Sequence, residues 1–247
     1  MALVDFSERG DVAVVAMNRP PANAFAPDLL RELLAAIERV RAAVPGAIVL
    51  TGSGKFFSGG ADLRAVPALP ERELAQLARD TNALFAGWYE LARPLVAAVN
   101  GHAVAGGLVL ALCADFRIGP TSGRFGLTEV KAGIPFPSAA MGVVRAELAP
   151  AALRRLVLRA ELFGASAMHE LGVFDEIVPD AEVLERAIEL AAELAALPRT
   201  TFAAVKARLR HGAFERDRDA FGGATTVREA TAEAKDAARR ILDERRI

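Results

Sequence analysis

Two short segments of small residues and one isolated glutamate are the parts of this sequence that can do chemistry. The first segment, SGGA, spans residues 58–61, and the second contains Gly106 and Gly107 directly before an apolar run. A glycine lets a ligand atom approach the backbone closely, and the amides of a helix's first turn are unpaired and electropositive. One amide from each segment can therefore bind the same developing oxyanion.

The glutamate is Glu129, in the segment FGLTEVKAGIPF, where apolar and small residues flank it. Burial raises the pKa of a carboxyl toward neutrality, which suits it to proton transfer at physiological pH. Each feature also has a simpler explanation. An isolated glutamate is more often exposed in a loop or at a helix start, and paired glycines equally well permit close packing of a helix on a strand. The combination of all three features favours proton transfer beside an oxyanion.

The remaining sequence indicates which elements position these groups. A valine-rich run over residues 11–17 predicts a strand in a hairpin with residues 3–6, and leucines at helical spacing predict a helix over residues 28–40. Further short strands are each followed by a helix, and the sequence after Pro198 reads as helical. This pattern predicts an α/β core over residues 1–197 and a helical region over residues 198–247.

Composition excludes several classes of protein. The formal net charge of −1 argues against broad electrostatic capture of nucleic acid. The apolar run over residues 103–114 is shorter than a membrane span requires. The single cysteine, Cys113, cannot form an intrachain disulfide, and the three histidines are too far apart to predict a metal site. The start of the chain does not look like a secretory signal. We therefore expect a cytoplasmic protein with neither nucleic acid nor a membrane as partner.

Six segments of the chain form an ordered set of motifs: NRPPANAF, IVLTGSGKFFSGGADL, LARPLVAAVNGHAVAGG, LALCADFRI, FGLTEVKAGIP and VFDEIVP. Together they resemble the crotonase family, also called the enoyl-CoA hydratase/isomerase superfamily. Each segment alone is a weak signal, whereas the ordered set is specific. The resemblance implies an α/β spiral of β-β-α units with a helical C-terminal region that contributes to packing or trimerisation. It also implies acyl-CoA thioester substrates and a homotrimer or a hexamer built as a dimer of trimers.

The resemblance also implies roles for individual residues. The amides of Ala61, in GGAD, and Gly106, in VAGG, would bind the thioester oxygen of an enolate, and Glu129 matches the second catalytic glutamate of the hydratases. No cofactor is expected, because CoA enters as part of the substrate. The residues expected to line the CoA moiety are Ala24, Gly59, Gly60, Asp62 and Leu63.

The sequence departs from the hydratase pattern at Val109. The hydratases carry Gly-Gly-Gly-Cys-Glu, with a first catalytic glutamate, where this chain has AGGLV over residues 105–109. A single acid suits a proton shuttle, so the pattern favours a Δ3,Δ2-enoyl-CoA isomerase in which Glu129 moves the proton. Two alternatives stay open: an enoyl-CoA hydratase or other crotonase-type reaction with an atypical site, and an acyl-CoA-binding protein with little catalysis.

Charged residues outside this site have simpler interpretations. Asp62 reads as a loop or helix-cap carboxylate, and Asp115, at the end of an apolar helix, reads as structural. Lys206, Arg208 and Arg210 form the basic face of a helix, which we interpret as solvated rather than as a site for CoA phosphates.

Overall fold

The structure is a computed structural model that describes residues 2–65 and 68–215. Within these ranges the chain alternates between pairs of short strands and a helix. The elements, in chain order, are β1 (Val4–Arg9), β2 (Val12–Met17), α1 (Pro27–Ala43), β3 (Ala47–Gly52), β4 (Phe56–Ser58), α2 (Glu71–Tyr89), β5 (Leu95–Ala98), β6 (His102–Val104), α3 (Gly106–Leu112), β7 (Phe116–Pro120), β8 (Phe125–Gly126), α4 (Glu129–Ala132), α5 (Ser138–Glu147), α6 (Pro150–Arg159), α7 (Ala165–Glu170), β9 (Glu176–Val178), a 3₁₀ helix (Asp180–Glu182), α8 (Val183–Ala195) and α9 (Arg199–Arg210).

The strands form two sheets, and successive units of the chain contribute to each. The larger sheet has the order β1-β2-β3-β5-β7-β9, with β1 antiparallel to β2 and every other pair parallel. The smaller sheet is parallel, in the order β4-β6-β8. The chain therefore winds as a spiral of β-β-α units, which confirms the predicted α/β fold.

The central strands of the larger sheet are buried because helices cover both faces. In β2, Val12 and Val14 pack with the buried side of α8, whereas Val15 and Met17 face the main apolar cluster of helices α1, α2 and α3. Such double burial produces continuous apolar runs in parallel strands. Those runs are why the sequence predicts β2, β3 and β5 correctly.

The smaller sheet lies in segments that the sequence predicts differently. The sequence predicts loop for the segment that contains β4 and helix for the segment that contains β6, and it predicts that residues 123–137 are mostly loop. The third prediction is confirmed, apart from the short elements β8 and α4. The first two are wrong because strands of three residues are too short to show a period-2 pattern. These short strands form because they pair with segments that are distant in the sequence.

The helical C-terminal region is described only in part. Of residues 198–247, the structure describes 198–215, which contain α9, and the remainder lies outside the described residues. The division between residues 197 and 198 stays a prediction. In the described ranges no helix combines the length and apolar character needed to cross a membrane.

Candidate active site

The three candidate catalytic residues follow the three strands of the smaller sheet. Ala61 follows β4, Gly106 follows β6 and Glu129 follows β8, each within three residues of the strand's last residue. Because the strands are parallel, their carboxyl ends meet at one edge. The sheet thus brings segments distant in the sequence to the same edge.

The loops that carry Ala61 and Gly106 touch backbone to backbone at Gly60. Gly60 has φ of +76°, and a Cβ placed there would lie 2.9 Å from the amide nitrogen of Gly106 and 2.9 Å from the carbonyl oxygen of Val104. Ala61, the next residue, is exposed. Within the described ranges, neither the amide of Ala61 nor that of Gly106 donates a hydrogen bond. Neither amide therefore has a competing acceptor among the described residues.

The two glycines of VAGG have different roles. A Cβ at Gly107 would lie 2.1 Å from the carbonyl oxygen of Ser58, so this glycine is required for close packing of α3 on β4. A Cβ at Gly106 would instead meet the ring of Phe25 at 3.1 Å. Gly106 is only partly buried, so its backbone stays accessible. The sequence left close packing and backbone access as alternative explanations for the glycine pair. In the structure, Gly107 permits the close packing and its neighbour Gly106 leaves the backbone accessible.

Ala105 holds an unusual backbone conformation directly before Gly106. Its φ is 52° and its ψ is −130°, a region that costs a residue with a side chain about 1–3 kcal/mol. The Ala105 amide donates to the Gly126 carbonyl in β8 at 2.8 Å, and its carbonyl accepts the first hydrogen bonds of α3. Ala105 thus sets the direction of the peptide bearing the Gly106 amide. An alanine gives no sequence signal of such a conformation.

Glu129 is the first residue of α4 and is buried, with 6% of its surface exposed. Burial raises the pKa of its carboxyl from 4.5 to about 7, although a backbone hydrogen bond partly opposes this. Its Oε2 atom has no hydrogen-bond partner among the described residues. A buried carboxyl with a near-neutral pKa and an unsatisfied oxygen is suited to accept and return a proton.

Val109 is fully buried in the main apolar cluster, one turn into α3. Its side chain supplies no polar atom at the position where the hydratase pattern has its first glutamate. Phe136, which follows α4, belongs to the same cluster. Among the described residues, Glu129 is the one acidic residue that is buried.

The residues expected to line CoA lie on two backbone segments that pair in parallel. The Gly59 amide donates to the Ala22 carbonyl at 2.8 Å, the Phe25 amide to the Gly60 carbonyl at 2.7 Å, and the Asp62 amide to the Phe25 carbonyl at 2.9 Å. Ala24 lies within the first segment. The structure therefore brings Ala24 beside residues 59–62.

Asp62 and Leu63 have contacts that explain them structurally. The Asp62 carboxylate accepts from Arg19 at 2.9 Å and from the Arg64 amide at 3.1 Å, as expected for a loop carboxylate. Leu63 packs against Leu74, near the start of α2. These contacts fix the loop after Ala61.

Two polar residues for which the sequence predicts no role of their own hold the loops in place. Asn23 is buried, and its side-chain amide donates to the carbonyls of Ser53 at 3.1 Å and Phe56 at 2.8 Å. The Ser58 hydroxyl donates to the Asn23 carbonyl at 2.7 Å and accepts from the Gly60 amide at 3.1 Å. An asparagine beside a small-residue loop was an available signal, because asparagine tolerates the left-handed conformation that Asn23 adopts.

The interpretation of the basic helix is wrong for two of its three residues. Lys206 is buried and lies 2.7 Å from the Asp115 carboxylate, and Arg210 lies 2.9 Å from the same carboxylate. Arg208 is exposed, as expected. Asp115 is structural as interpreted, and its negative charge is what permits two cations to be buried beside it. Elsewhere in the described ranges, no group of acidic, histidine or cysteine side chains is arranged to hold a metal ion.

Comparison with known proteins gives consistent matches over nearly the whole chain. The profile of the enoyl-CoA hydratase/isomerase family matches residues 7–245. A putative enoyl-CoA hydratase of Thermus thermophilus is 39% identical over 194 residues, which are 76% of each chain. Hydratase names predominate among the relatives.

Solved structures give the same match in three dimensions. An enoyl-CoA isomerase of Mycobacterium tuberculosis is 29% identical with a TM-score of 0.81, covering 94% of this chain and 97% of the other. The human mitochondrial Δ3-Δ2-enoyl-CoA isomerase superposes with a TM-score of 0.89 over 99% of this chain and 98% of the other. Because the human protein is 24% identical to this chain, its similarity supports the fold assignment alone.

Proposed function

Because the chain belongs to the enoyl-CoA hydratase/isomerase family, we propose that it is a Δ3,Δ2-enoyl-CoA isomerase. In this proposal it moves the double bond of a 3-enoyl-CoA thioester into conjugation with the carbonyl. The observation that carries the proposal is Glu129, a buried carboxyl with a near-neutral pKa and an unpartnered oxygen. The apolar Val109, where the hydratase pattern has an acid, supports a reaction that needs one acid.

The backbone amides of Ala61 and Gly106 bind the thioester oxygen in this mechanism. Both amides are unpaired within the described ranges, and their loops touch at Gly60. When a proton leaves the α-carbon, negative charge moves onto the thioester oxygen, and the amides stabilise it. Each such donor contributes about 10²–10³ in rate. The charge is spread over a dienolate that includes the former double bond.

Glu129 carries the proton between the two carbons. As a carboxylate it removes a proton from the α-carbon of the 3-enoyl-CoA, and as a carboxylic acid it returns the same proton to the γ-carbon. No proton is gained or lost overall, and the product is the 2-enoyl-CoA. A pKa of about 7 leaves much of the carboxyl ionised at neutral pH. Apolar surroundings keep water from competing for the intermediate.

The rest of the proposal concerns binding and assembly. The CoA moiety lies along the paired segments that contain Ala24, Gly59, Gly60, Asp62 and Leu63, and no other cofactor takes part. The protein acts as a homotrimer or a hexamer, with residues 198–247 contributing to its packing, in the cytoplasm.

Hydration of a 2-enoyl-CoA is the second candidate, and the hydratase names among the relatives favour it. Hydration adds water across the double bond, so a group must hold and activate the water while a proton is delivered. Val109 offers no such group. Purified protein incubated separately with a 3-enoyl-CoA and a 2-enoyl-CoA distinguishes the two reactions, because isomerisation conserves mass and hydration adds one water. Binding of both esters without any turnover would indicate an acyl-CoA-binding protein instead.

The direct test of the mechanism is Glu129→Gln, which keeps the side chain's shape and removes its basicity. We expect kcat for isomerisation to fall by about 10²–10⁴, while KM changes little because the CoA segments are untouched. Glu90→Gln is the matched control, since Glu90 is an exposed glutamate at the end of α2. Isomerisation by Glu129→Gln at a rate comparable to that of the unchanged protein would exclude Glu129 as the base.

A further inference from the structure

The end of α3 opposite Gly106 is held by two arginines from other elements. Arg210, in α9, donates from Nη1 to the Cys113 carbonyl at 3.1 Å. Arg117, in β7, donates from Nη1 to the Ala114 carbonyl at 3.2 Å. These carbonyls lie just past the last residue of α3, where helical carbonyls have no partner within the helix. The helix spans only about 10 Å, so both of its ends are close to fixed groups.

Asp115 joins α9 to the segment that follows α3. Its carboxylate accepts from Arg210 Nη2 at 2.9 Å, from Lys206 Nζ at 2.7 Å and from the Leu95 amide at 2.8 Å. Lys206 Nζ also donates to the Arg93 carbonyl at 2.8 Å. The start of β5, the end of α3 and one face of α9 are therefore held at a single carboxylate.

A second set of contacts ties the same place to α2 and α5. The Arg210 guanidinium lies 4.0 Å from the centre of the Tyr89 ring and also donates to the Tyr89 carbonyl. The Tyr89 hydroxyl donates to Glu147 at 2.9 Å, and Glu147 accepts from Arg117 at 3.1 Å. We call Asp115, Arg117, Lys206 and Arg210 the α3 anchor.

An apolar cluster would hold α9 against the core with less desolvation than these buried charges require. Buried ion pairs add little net stability. Unlike apolar contacts, however, they supply hydrogen bonds of defined direction. Direction matters here because a donor that binds a developing oxyanion must be placed to within about 0.5 Å. The strained Ala105 fixes α3 at its first turn, and the α3 anchor fixes it at its last.

We propose that Arg210 is a positioning residue for the Gly106 amide: by holding the Cys113 carbonyl and Asp115, it sets the position of α3 along the helix axis. The inference rests on the proposed function, in which Gly106 binds the thioester oxygen. In this proposal α9, in the C-terminal helical region, helps to position the oxyanion site, although no atom of α9 needs to touch the substrate.

The test compares Arg210→Ala and Arg210→Lys with Arg208→Ala, an exposed arginine on the same helix. Butanoyl-CoA labelled with carbon-13 at the thioester carbonyl is the probe, and its C=O stretching frequency is measured by infrared spectroscopy. In the unchanged protein, the C=O band of bound butanoyl-CoA should lie at a lower frequency than the same band of butanoyl-CoA in water. In Arg210→Ala we expect a smaller movement, a kcat lower by about 10- to 100-fold and a KM within about twofold.

The two further variants separate positioning from folding. Arg210→Lys keeps the positive charge beside Asp115, but its single nitrogen cannot replace both arginine nitrogens that bind Asp115 and the Cys113 carbonyl. Its C=O band and its kcat should therefore lie between those of the unchanged protein and Arg210→Ala. Arg208→Ala should match the unchanged protein in both. Thermal unfolding sets a temperature at which every variant is folded. If Arg210→Ala does not fold at any temperature, Arg210→Lys decides by the same measurement.

Two results overturn the inference, and they are distinguishable. If Arg210→Ala only lowers Tm, while band and kcat at the permissive temperature match those of the unchanged protein, α9 is a stabilising helix alone and the proposed function is unaffected. If the unchanged protein itself does not shift the butanoyl-CoA band, the oxyanion site is refuted, and the positioning role with it.

Discussion

In the larger sheet, β2, β3 and β5 are buried along almost their whole length. In the smaller sheet, each strand has two or three residues, and the segments that follow the strands carry Ala61, Gly106 and Glu129. The larger sheet buries apolar surface, which is the main source of stability. The smaller sheet contributes fewer buried side chains, among them Phe57 and Phe125, and sets the positions of backbone groups. The difference indicates that substitutions in the two sheets separate into effects on stability and effects on activity.

The largest expected effect on stability lies in the larger sheet, at Leu50→Ala in β3. Leu50 has no exposed surface, so its truncation leaves a cavity and lowers the free energy of unfolding by about 2–5 kcal/mol. Specific activity at low temperature should be unchanged, because Leu50 lies outside the smaller sheet. Urea unfolding measures the first quantity and isomerase kinetics the second. Leu158→Ala, with 67% of the leucine exposed, is the control and should change stability by under about 0.5 kcal/mol.

The converse effect is expected in the loops of the smaller sheet, at Gly60→Ala. The added Cβ meets the Gly106 amide at 2.9 Å, so either the two loops separate or the amide is covered. We expect kcat/KM to fall by about 10²–10³, which corresponds to about 2.7–4 kcal/mol of transition-state stabilisation.

A matched control separates the steric effect at Gly60 from backbone strain. Gly54 has nearly the same φ, +75° against +76°, but open space where its Cβ would lie. Gly54→Ala should therefore lose only the stability that the strained backbone costs, and it should keep its activity. Equal losses of activity in the two variants would contradict the assignment of Gly60.

A smaller effect connects the two regions, because the proposed catalytic group, Glu129, also affects stability. The pKa of Glu129 is about 7 in the folded protein and ordinarily 4.5. Between these pH values the folded state keeps a proton that the unfolded state has lost. This group therefore makes the protein less stable as pH rises from 4.5 to 7, by about 3 kcal/mol in all.

The pH effect is measured as a difference between variants. The free energy of unfolding of Glu129→Gln, minus that of the unchanged protein, should increase by about 3 kcal/mol from pH 4 to pH 8. Subtraction removes contributions from other titrating groups. The same difference for Leu158→Ala, which removes no titrating group, should not change with pH. If the difference for Glu129→Gln does not depend on pH, the Glu129 carboxyl is not desolvated.

The contrast between the two sheets also explains which elements could be predicted from the sequence. The strands β2, β3 and β5 are apolar runs whose length and composition are visible locally. The small residues around Gly60 and Gly106 were visible as candidate loops, and the resemblance to a family placed Glu129 with them. The strands β4, β6 and β8 were not visible, because contacts with one another stabilise them rather than their own sequences.

Charge and backbone conformation show the limit of local reasoning most clearly. Lys206 and Arg210 look solvated in the sequence because their partner, Asp115, is 91 positions from Lys206. The positive φ of Ala105 follows from its place between β6 and α3, and no property of alanine indicates it. Both features are set by tertiary packing, which a single sequence does not display.

The direct backbone contact at Gly60 has a consequence for how such a protein can change over evolution. The proposed donors are peptide groups, which every amino acid except proline possesses, so mutation of a side chain rarely deletes them. Catalytic specialisation is then free to proceed at a few side-chain positions, such as 109 and 129, while the proposed backbone donors are inherited intact. A lineage built in this way diversifies its reactions without having to reinvent its substrate activation.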